Sequence, residues 1–497
     1  MHQDQRESTS QLKYLQPQTK PEQEAGIKAT ATATSVEPSS QIEDHSGDAG
    51  NKEDDHYKKR LSPLRYKLRS LLLPLVRMET DILYTLQSNL RNPIFDFYFA
   101  WTANLASHTF YVLMLPPPIW FGASSLARDL IYVLGLGIYC TGFLKDYFCL
   151  PRPRSPPLHR ITMSSYTAQE YGFPSSHAAN ATAVTLVVLH AVKQNKDSFE
   201  PVTYYSLISG LGLYYVSLIF GRLYCGMHGF LDIIVGSVVG LVLFLLRTYW
   251  GKMWDEFLFS KGSLLGGLMI VGGFISLIHF HSEPVDDCPC FDDSVAFIGV
   301  LIGLDLSHLI CYQTQYLLSD TNLSDYYLVP FDSGKGVLSI VTRFIVGVFL
   351  VVIWKSISKP VIFTILPPVY KFIGVYLPRR NFISTAHTTQ STRNIRSTSI
   401  SNDNTTQIGD LNNLIKGVTD RQKIDNYGPS SDIDIYEIME YNKRHEHGII
   451  DPEKLTFKSG VFKYRYDVEI VGRLIVYAGV AITAIWGFAF ISALLNV

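Results

Sequence analysis

The run from Tyr204 to Leu246, YYSLISGLGLYYVSLIFGRLYCGMHGFLDIIVGSVVGLVLFLL, holds two apolar stretches joined by a short polar hinge. Each stretch approaches the roughly 20 apolar residues that a helix needs to cross a hydrocarbon layer about 30 Å thick. The hinge carries Arg222, His228 and Asp232, ionisable groups that a bilayer tolerates only where they are paired or have a task. The reading is an all-α polytopic membrane protein whose chemistry sits at a helix junction.

The same kind of window recurs on both sides of this run. With Tyr204–Phe220 and Phe230–Leu246, the candidate spans are Ile94–Leu115, Leu130–Leu144, Ala178–Val192, Leu264–Phe280, Val295–Cys311, Val337–Trp354, Val361–Tyr376 and Val471–Leu495. Hydropathy therefore predicts about nine or ten helices. Of the 497 residues, 47% are hydrophobic and 18% charged, and the polar residues gather at the N-terminus and in one late segment. Residues 1–60 are poor in aromatics and are predicted to be a disordered polar tail, because they bury too little apolar area to offset chain ordering. From Leu61 to Leu90, Arg65, Lys67, Arg69 and Arg77 alternate with leucines, an amphipathic pattern suited to lying along the membrane surface. Residues 379–467 are too polar for lipid and too long for a tight connection, so they are predicted to be a polar loop in water, partly disordered.

A formal net charge of −1 offers no basic field for nucleic acid, and no nucleic-acid module is visible. Cys288 and Cys290 are spaced too tightly for a typical zinc pair and have no further ligands nearby, so no metal and no cofactor is expected. The N-terminus MHQDQRESTSQ lacks the apolar core of a secretory signal, which leaves targeting to the first span. Basic residues from Lys58 to Arg77 argue for a cytoplasmic N-terminal side, and the acidic loop from Glu283 to Asp293 for the opposite compartment. The two clues conflict with a lumenal site if only two helices precede Lys145.

Three polar clusters stand at span ends: Lys145-Asp-Tyr-Phe-Cys-Leu-Pro-Arg152-Pro153, Pro174-Ser175-Ser176-His177, and Gly221-Arg222 through His228 to Asp232. Together they make a chemical unit. Transfer of a phosphoryl group spreads negative charge over three oxygens, so catalysis consists mainly of positioning and electrostatic stabilisation. Lys145, Arg152 and Arg222 supply three cations, which makes a metal ion unnecessary, and arginine adds planar donors matched to phosphate. Ser175 and Ser176 open a predicted helix, where unpaired N–H groups favour an anion. His228 and Asp232 are four residues apart and share a helix face, so the carboxylate can hold one ring N–H while the other nitrogen attacks phosphorus. His177 is left to protonate the leaving alkoxide and later to activate water.

Taken singly, each feature has a plainer meaning. Ser175 alone reads as a helix N-cap, the His–Asp pair as a satisfied polar contact, and the cations as side chains anchored at the interface. Asp305, Ser307 and His308 in one later span and Arg343 in the next read as an internal ion pair between helices, with a polar conduction path as the alternative. Asp432-Ile-Asp434 superficially matches an aspartyl-phosphate motif, but Tyr436 breaks the pattern.

In joint order and spacing, the clusters resemble the signature of the type 2 phosphatidic acid phosphatase superfamily: Lys-x6-Arg-Pro, Pro-Ser-Gly-His, Ser-Arg-x5-His-x3-Asp. The resemblance covers about Ile94 to Arg247. It departs at Ser176, where the family has Gly, and at Gly221, where it has Ser, and these departures with the run Tyr171-Gly-Phe-Pro-Ser-Ser-His177 are similar to the sphingoid long-chain-base phosphate phosphatase branch. The resemblance implies a six-helix phosphatase core within residues 61–250, metal independence, and an endoplasmic reticulum membrane location with the site towards the lumen. Residues 251–378 then supply additional C-terminal transmembrane helices, and 468–497 a final one. The expected activity is hydrolysis of dihydrosphingosine and phytosphingosine 1-phosphates through a phosphohistidine. The expected catalytic residues are His228, His177 and Asp232, with Lys145, Arg152, Ser175, Ser176 and Arg222 on the phosphate. The expected partners are a lipid phosphate and the membrane, and no nucleic acid. A broader lipid phosphate or isoprenoid pyrophosphate phosphatase, or a non-catalytic transporter, are the alternatives.

Overall fold

The computed structural model describes residues 48–163, 169–260, 264–286, 288–314, 336–373 and 466–495, together with residues 331 and 334. Among these residues the chain is helical without strands. The helices are α1 Asp54–Arg60, α2 Pro63–Leu90, α3 Pro93–Thr102, α4 His108–Met114, α5 Pro117–Trp120, α6 Ser124–Phe148 and α7 Ser176–Gln194. They continue as α8 Pro201–Tyr224, α9 Phe230–Ser260, α10 Leu264–Phe280, α11 Cys290–Thr314, α12 Val337–Phe372, α13 Val468–Ile482 and α14 Phe488–Leu495, the last two joined by a π turn. Most of the expected polar loop, including Asp432 and Asp434, lies outside the described residues, as do residues 1–47.

Among the described residues, six segments are long and apolar enough to cross a membrane: Ser124–Phe148, Pro201–Tyr224, Phe230–Leu258, Cys290–Cys311, Val337–Tyr370 and Val468–Leu495. Two shorter apolar segments, Phe110–Trp120 and Leu265–Phe280, accompany them. This is a multi-pass membrane protein. Leu213, Val216, Ile234, Val238, Leu338, Ile345 and Phe349 stand exposed on these helices, where a soluble protein would bury them.

Three sequence expectations need correction. The predicted span Ile94–Leu115 is broken into α3, a 3-10 turn at Ala103–Ala106, and α4. Asn92 caps α3 through the Ile94 N–H and Ser107 starts a new helix by accepting from the Phe110 N–H at 3.2 Å, so local capping overrides the apolar average. The predicted pair Val337–Trp354 and Val361–Tyr376 is instead one helix containing Pro360, Pro367 and Pro368, residues that membrane helices tolerate in their interior. The polar tail predicted to reach residue 60 already has structure from Asp48. Buried Asp286 accepts from the Gly50 N–H at 2.9 Å and the Tyr57 hydroxyl at 2.6 Å and pairs with Lys52 at 3.1 Å, which anchors this stretch.

At the centre, α6 packs against α7, α9 and α11. Small residues bring these helices close. A side chain at Gly236 or Gly240 of α9 would strike the carbonyls of Ser175 and Ala179 in α7, so this Gly-x3-Gly pair sets the α7–α9 crossing. Gly299 and Gly303 of α11 meet α13 in the same way, at Leu474 and Ala478.

Away from the hinge, the intramembrane charges pair among themselves. Arg128 on α6 bonds Asp255 at 2.8 Å, Asp305 at 2.7 Å and the His308 ring at 2.9 Å, and the Tyr132 hydroxyl donates to Asp305 at 2.6 Å. The internal ion pair read from the sequence is therefore present, with Arg128 rather than Arg343 as the partner of Asp305. Arg343 donates to the Trp120 carbonyl at 2.6 Å, and the Ser307 hydroxyl to the Gly303 carbonyl at 2.6 Å. Arg128 and Lys145 lie on the same helix, about 25 Å apart at 1.5 Å per residue, so this network and the hinge occupy opposite ends of α6.

Candidate active site

Three helix ends build the site, and each end has a local cause. α6 stops at Cys149, whose left-handed φ of 52° turns the chain from Lys145 into Leu150-Pro151-Arg152, with the Cys149 N–H donating to the Lys145 carbonyl. α8 stops in a Schellman motif. Gly226, at φ 63°, donates to the Leu223 carbonyl and the Met227 N–H donates to the Arg222 carbonyl, both at 3.1 Å. That motif delivers His228 directly after the helix that carries Arg222. α7 starts at Ser175, whose hydroxyl oxygen accepts from the Ala178 N–H at 3.3 Å while its own N–H donates to the Asp232 carbonyl at 2.9 Å.

The three segments meet at His228, which is 1% exposed. Its Nδ1 donates to the Gly172 carbonyl at 2.9 Å, so Nε2 holds the free electron pair and receives an N–H from Arg152 at 3.1 Å. Arg152 also donates to the Met227 carbonyl at 2.7 Å. Burial first, then the neighbouring charges of Arg152, Lys145, His177 and Arg222, hold the His228 pKa well below the ordinary histidine value. All four neighbours therefore act on one imidazole. Burial draws Arg152 down to about 10, against the opposing pull of Glu170, which leaves it charged at neutral pH.

The remaining predicted residues lie as follows. Lys145, 2% exposed, points to the Ser176 hydroxyl at 3.4 Å. Arg222 is buried in the last turn of α8, and its Nε makes no hydrogen bond among the described residues. A buried donor of that kind is costly unless an anion arrives. His177 is half-buried in the first turn of α7.

One role read from the sequence needs correction. The Asp232 carboxylate lies 3.6 Å from His228 Nδ1, beyond hydrogen-bond reach, and accepts instead from the Gly229 N–H at 2.8 Å. That contact is half of a capping box at the start of α9, and the Gly172 carbonyl has taken the orienting bond to the ring. Ser175 is fully buried and its hydroxyl oxygen caps α7, a use that takes a lone pair and not the hydroxyl proton.

Three contributors escaped the sequence reading. The Glu170 carboxylate is ion-paired to Lys145 and lies 3.7 Å from Arg152, while its carbonyl accepts from Arg152 Nε at 3.1 Å. Gly172 brings two strands of chain into contact, donating to the Leu150 carbonyl at 2.9 Å as it accepts from His228. Glu79 of α2 accepts from the Leu231 N–H at 2.9 Å and so caps the helix that follows His228. Of these, only Gly172 lay inside a motif that the sequence singled out. Glu79→Ala is expected to cost about 1 kcal/mol of stability, as lost caps do, and to lower turnover by loosening His228. Glu79→Gln keeps the acceptor and most of both, which thermal melting and initial rates of the two variants can check.

Around this centre, Gly221 explains one departure from the superfamily signature. A Cβ there would come within 3.0 Å of the Phe99 ring, so the aromatic side chain of α3 fills the space that the usual serine needs.

Comparison with known proteins agrees with the geometry. The PAP2 superfamily pattern matches residues 126–256, a stretch that holds all eight expected site residues. A dihydrosphingosine 1-phosphate phosphatase of Saccharomyces cerevisiae is 41% identical over 326 residues, 65% of this chain and 78% of the relative. A second, from Schizosaccharomyces pombe, is 34% identical over 418 residues, 84% of this chain and 88% of the relative. Human sphingosine-1-phosphate phosphatase 2 is 28% identical over 295 residues, 57% of this chain and 69% of the relative. No solved structure matches at a significant level. Shared length and identity with the two yeast proteins, and a signature whose residues meet at one imidazole, place this chain in the PAP2 superfamily.

Proposed function

We propose that this protein hydrolyses sphingoid long-chain-base 1-phosphates to the free base and inorganic phosphate, through a phosphohistidine on His228. The observation that carries the reading is the neutral, buried imidazole with Nε2 presented to Arg152 and surrounded by Lys145, His177 and Arg222. The names of the relatives favour a sphingoid substrate.

In this scheme the lipid tail stays in the bilayer and the phosphate enters among the three cations. Arg152 transfers its N–H from His228 Nε2 to a phosphate oxygen, which frees the electron pair to attack phosphorus. The P–O bond to the lipid breaks, and His177 gives its proton to the departing alkoxide. A water then gives a proton to His177 and attacks the phosphohistidine, so phosphate leaves and both histidines return to their starting forms. The positive charge that this needs comes from side chains, and chelators are expected to leave the rate unchanged. An endoplasmic reticulum membrane with the site towards the lumen completes the proposal.

The test is substrate profiling of the purified protein on dihydrosphingosine 1-phosphate, phosphatidic acid and dolichyl pyrophosphate. The sphingoid phosphate is expected to give the highest kcat/KM. A clear preference for phosphatidic acid or the pyrophosphate would transfer the assignment to a broader lipid phosphatase.

A further inference from the structure

Glu170 stands where an anion-binding site should least want it. Its carboxylate is ion-paired to Lys145 and lies 3.7 Å from Arg152, and the side chain is 11% exposed, at the margin of the buried centre. This carboxylate holds two of the cations that a phosphate needs. An incoming phosphate must take the same two cations, and a negative group left a few ångströms away in a poorly screened pocket repels it. Once displaced, the carboxylate has given up these two cations, and a partly buried charge that loses neighbouring cations is itself penalised.

The backbone on the C-terminal side of Glu170 is held. The next residue, Tyr171, is fully buried with its hydroxyl donating to Asp286 at 3.1 Å, and Gly172 is bonded to the Leu150 carbonyl. The side chain can turn while its Cα stays in place, which keeps the carboxylate within a side chain's length of the two cations. A substrate that carries its own cation next to the phosphate removes both penalties. Sphingoid base 1-phosphates have that form, with an ammonium on the carbon adjacent to the one that bears the phosphate ester.

We propose that Glu170 is a specificity-determining residue: as the phosphate takes Lys145 and Arg152, the Glu170 carboxylate exchanges them for the substrate's ammonium, so that the site selects lipid phosphates with an amine on the neighbouring carbon. The inference rests on the lipid phosphatase reading above and adds which feature of the headgroup is read.

The experiment compares dihydrosphingosine 1-phosphate with octadecyl phosphate, which has an equally long chain and no amine, on wild type, Glu170→Gln and Glu170→Asp. Wild type is expected to favour the amino lipid. Glu170→Gln should lower kcat/KM on the amino lipid by about 10- to 100-fold, the scale of one charge-assisted hydrogen bond, mainly through KM. On octadecyl phosphate it should lower kcat/KM much less than that, or raise it, because the repulsion is gone. Glu170→Asp keeps the charge and should retain most of the preference. If Glu170→Gln changes both substrates by the same factor, including loss of both, Glu170 is a plug or a scaffold residue and the inference is overturned. Failure of wild type to hydrolyse dihydrosphingosine 1-phosphate would instead defeat the proposed function, so the two failures are distinguishable.

Discussion

His228→Ala is expected to lower turnover of dihydrosphingosine 1-phosphate by about 1,000-fold or more, since removing the group that forms the covalent intermediate leaves only positioning and electrostatics. Substrate carrying a labelled phosphate should leave label on the wild-type chain after an alkaline quench, and acid should release it, as a phosphorus–nitrogen bond requires. The variant should carry none. Retention of a tenth of wild-type turnover by the variant would remove His228 from the nucleophile's place. A pH series tests the same atom. His228 is held well below the ordinary histidine value by burial and by Arg152, so the nucleophile stays neutral where an exposed imidazole would already be protonated. The acid limb that it causes in kcat/KM should therefore lie below pH 6.5, the ordinary histidine value of about 6.5 being the reference. Linkage has the same sign: the stability tied to this depressed pKa is present above the ordinary value and is lost as pH falls towards the lowered one.

The parts of this site that were legible in the sequence are those whose meaning lies in short spacing. Lys145 with Arg152, the Pro174–His177 run, and Arg222 with His228 and Asp232 each stand out as polar interruptions of apolar chain, because a bilayer makes ionisable groups costly. The same economy made the long spans readable. Legibility failed where a local bond competes with an average, as at Ser107, whose cap splits an apolar window. It failed again where one acceptor outcompetes another. Helical spacing places Asp232 on the same face as His228, yet it cannot reveal that the Gly172 carbonyl, 56 residues away in sequence, lies closer to the ring. Glu79 and Leu231 are separated by 152 residues, and Tyr57 and Asp286 by 229. No periodicity connects residues at such distances. Ser175 shows the remaining difficulty: capping and anion binding use the same residue type at the same helix position, and the cap takes the hydroxyl oxygen without using its proton.

Gly172→Ala should be among the most damaging single-methyl changes in the protein, although residue 172 neither carries charge nor contacts phosphate in the proposed scheme. An alanine Cβ there would sit 2.6 Å from the Pro151 carbonyl oxygen and 2.9 Å from Arg152 Cα, both backbone atoms that cannot swing aside. One of two things must move. If the segment at 151–152 retreats, Arg152 loses its alignment with the Met227 carbonyl and His228 Nε2. If residue 172 retreats, His228 loses the acceptor that fixes which nitrogen carries the proton. Displacements of about 1 Å in a catalytic group cost on the order of 100-fold in rate, whereas overpacking costs about 1–3 kcal/mol in stability. Turnover is therefore expected to fall about 100-fold in a protein that still folds, with the loss in kcat rather than KM if the ring is what moves. Gly212→Ala is the internal control, because nothing lies within 4 Å of the methyl it would add on α8, and it should behave as wild type. Equal rates for the two variants would mean that the close approach of residues 151 and 172 does not hold the nucleophile, and that Arg152 and His228 are aligned by the Schellman turn at Gly226 alone.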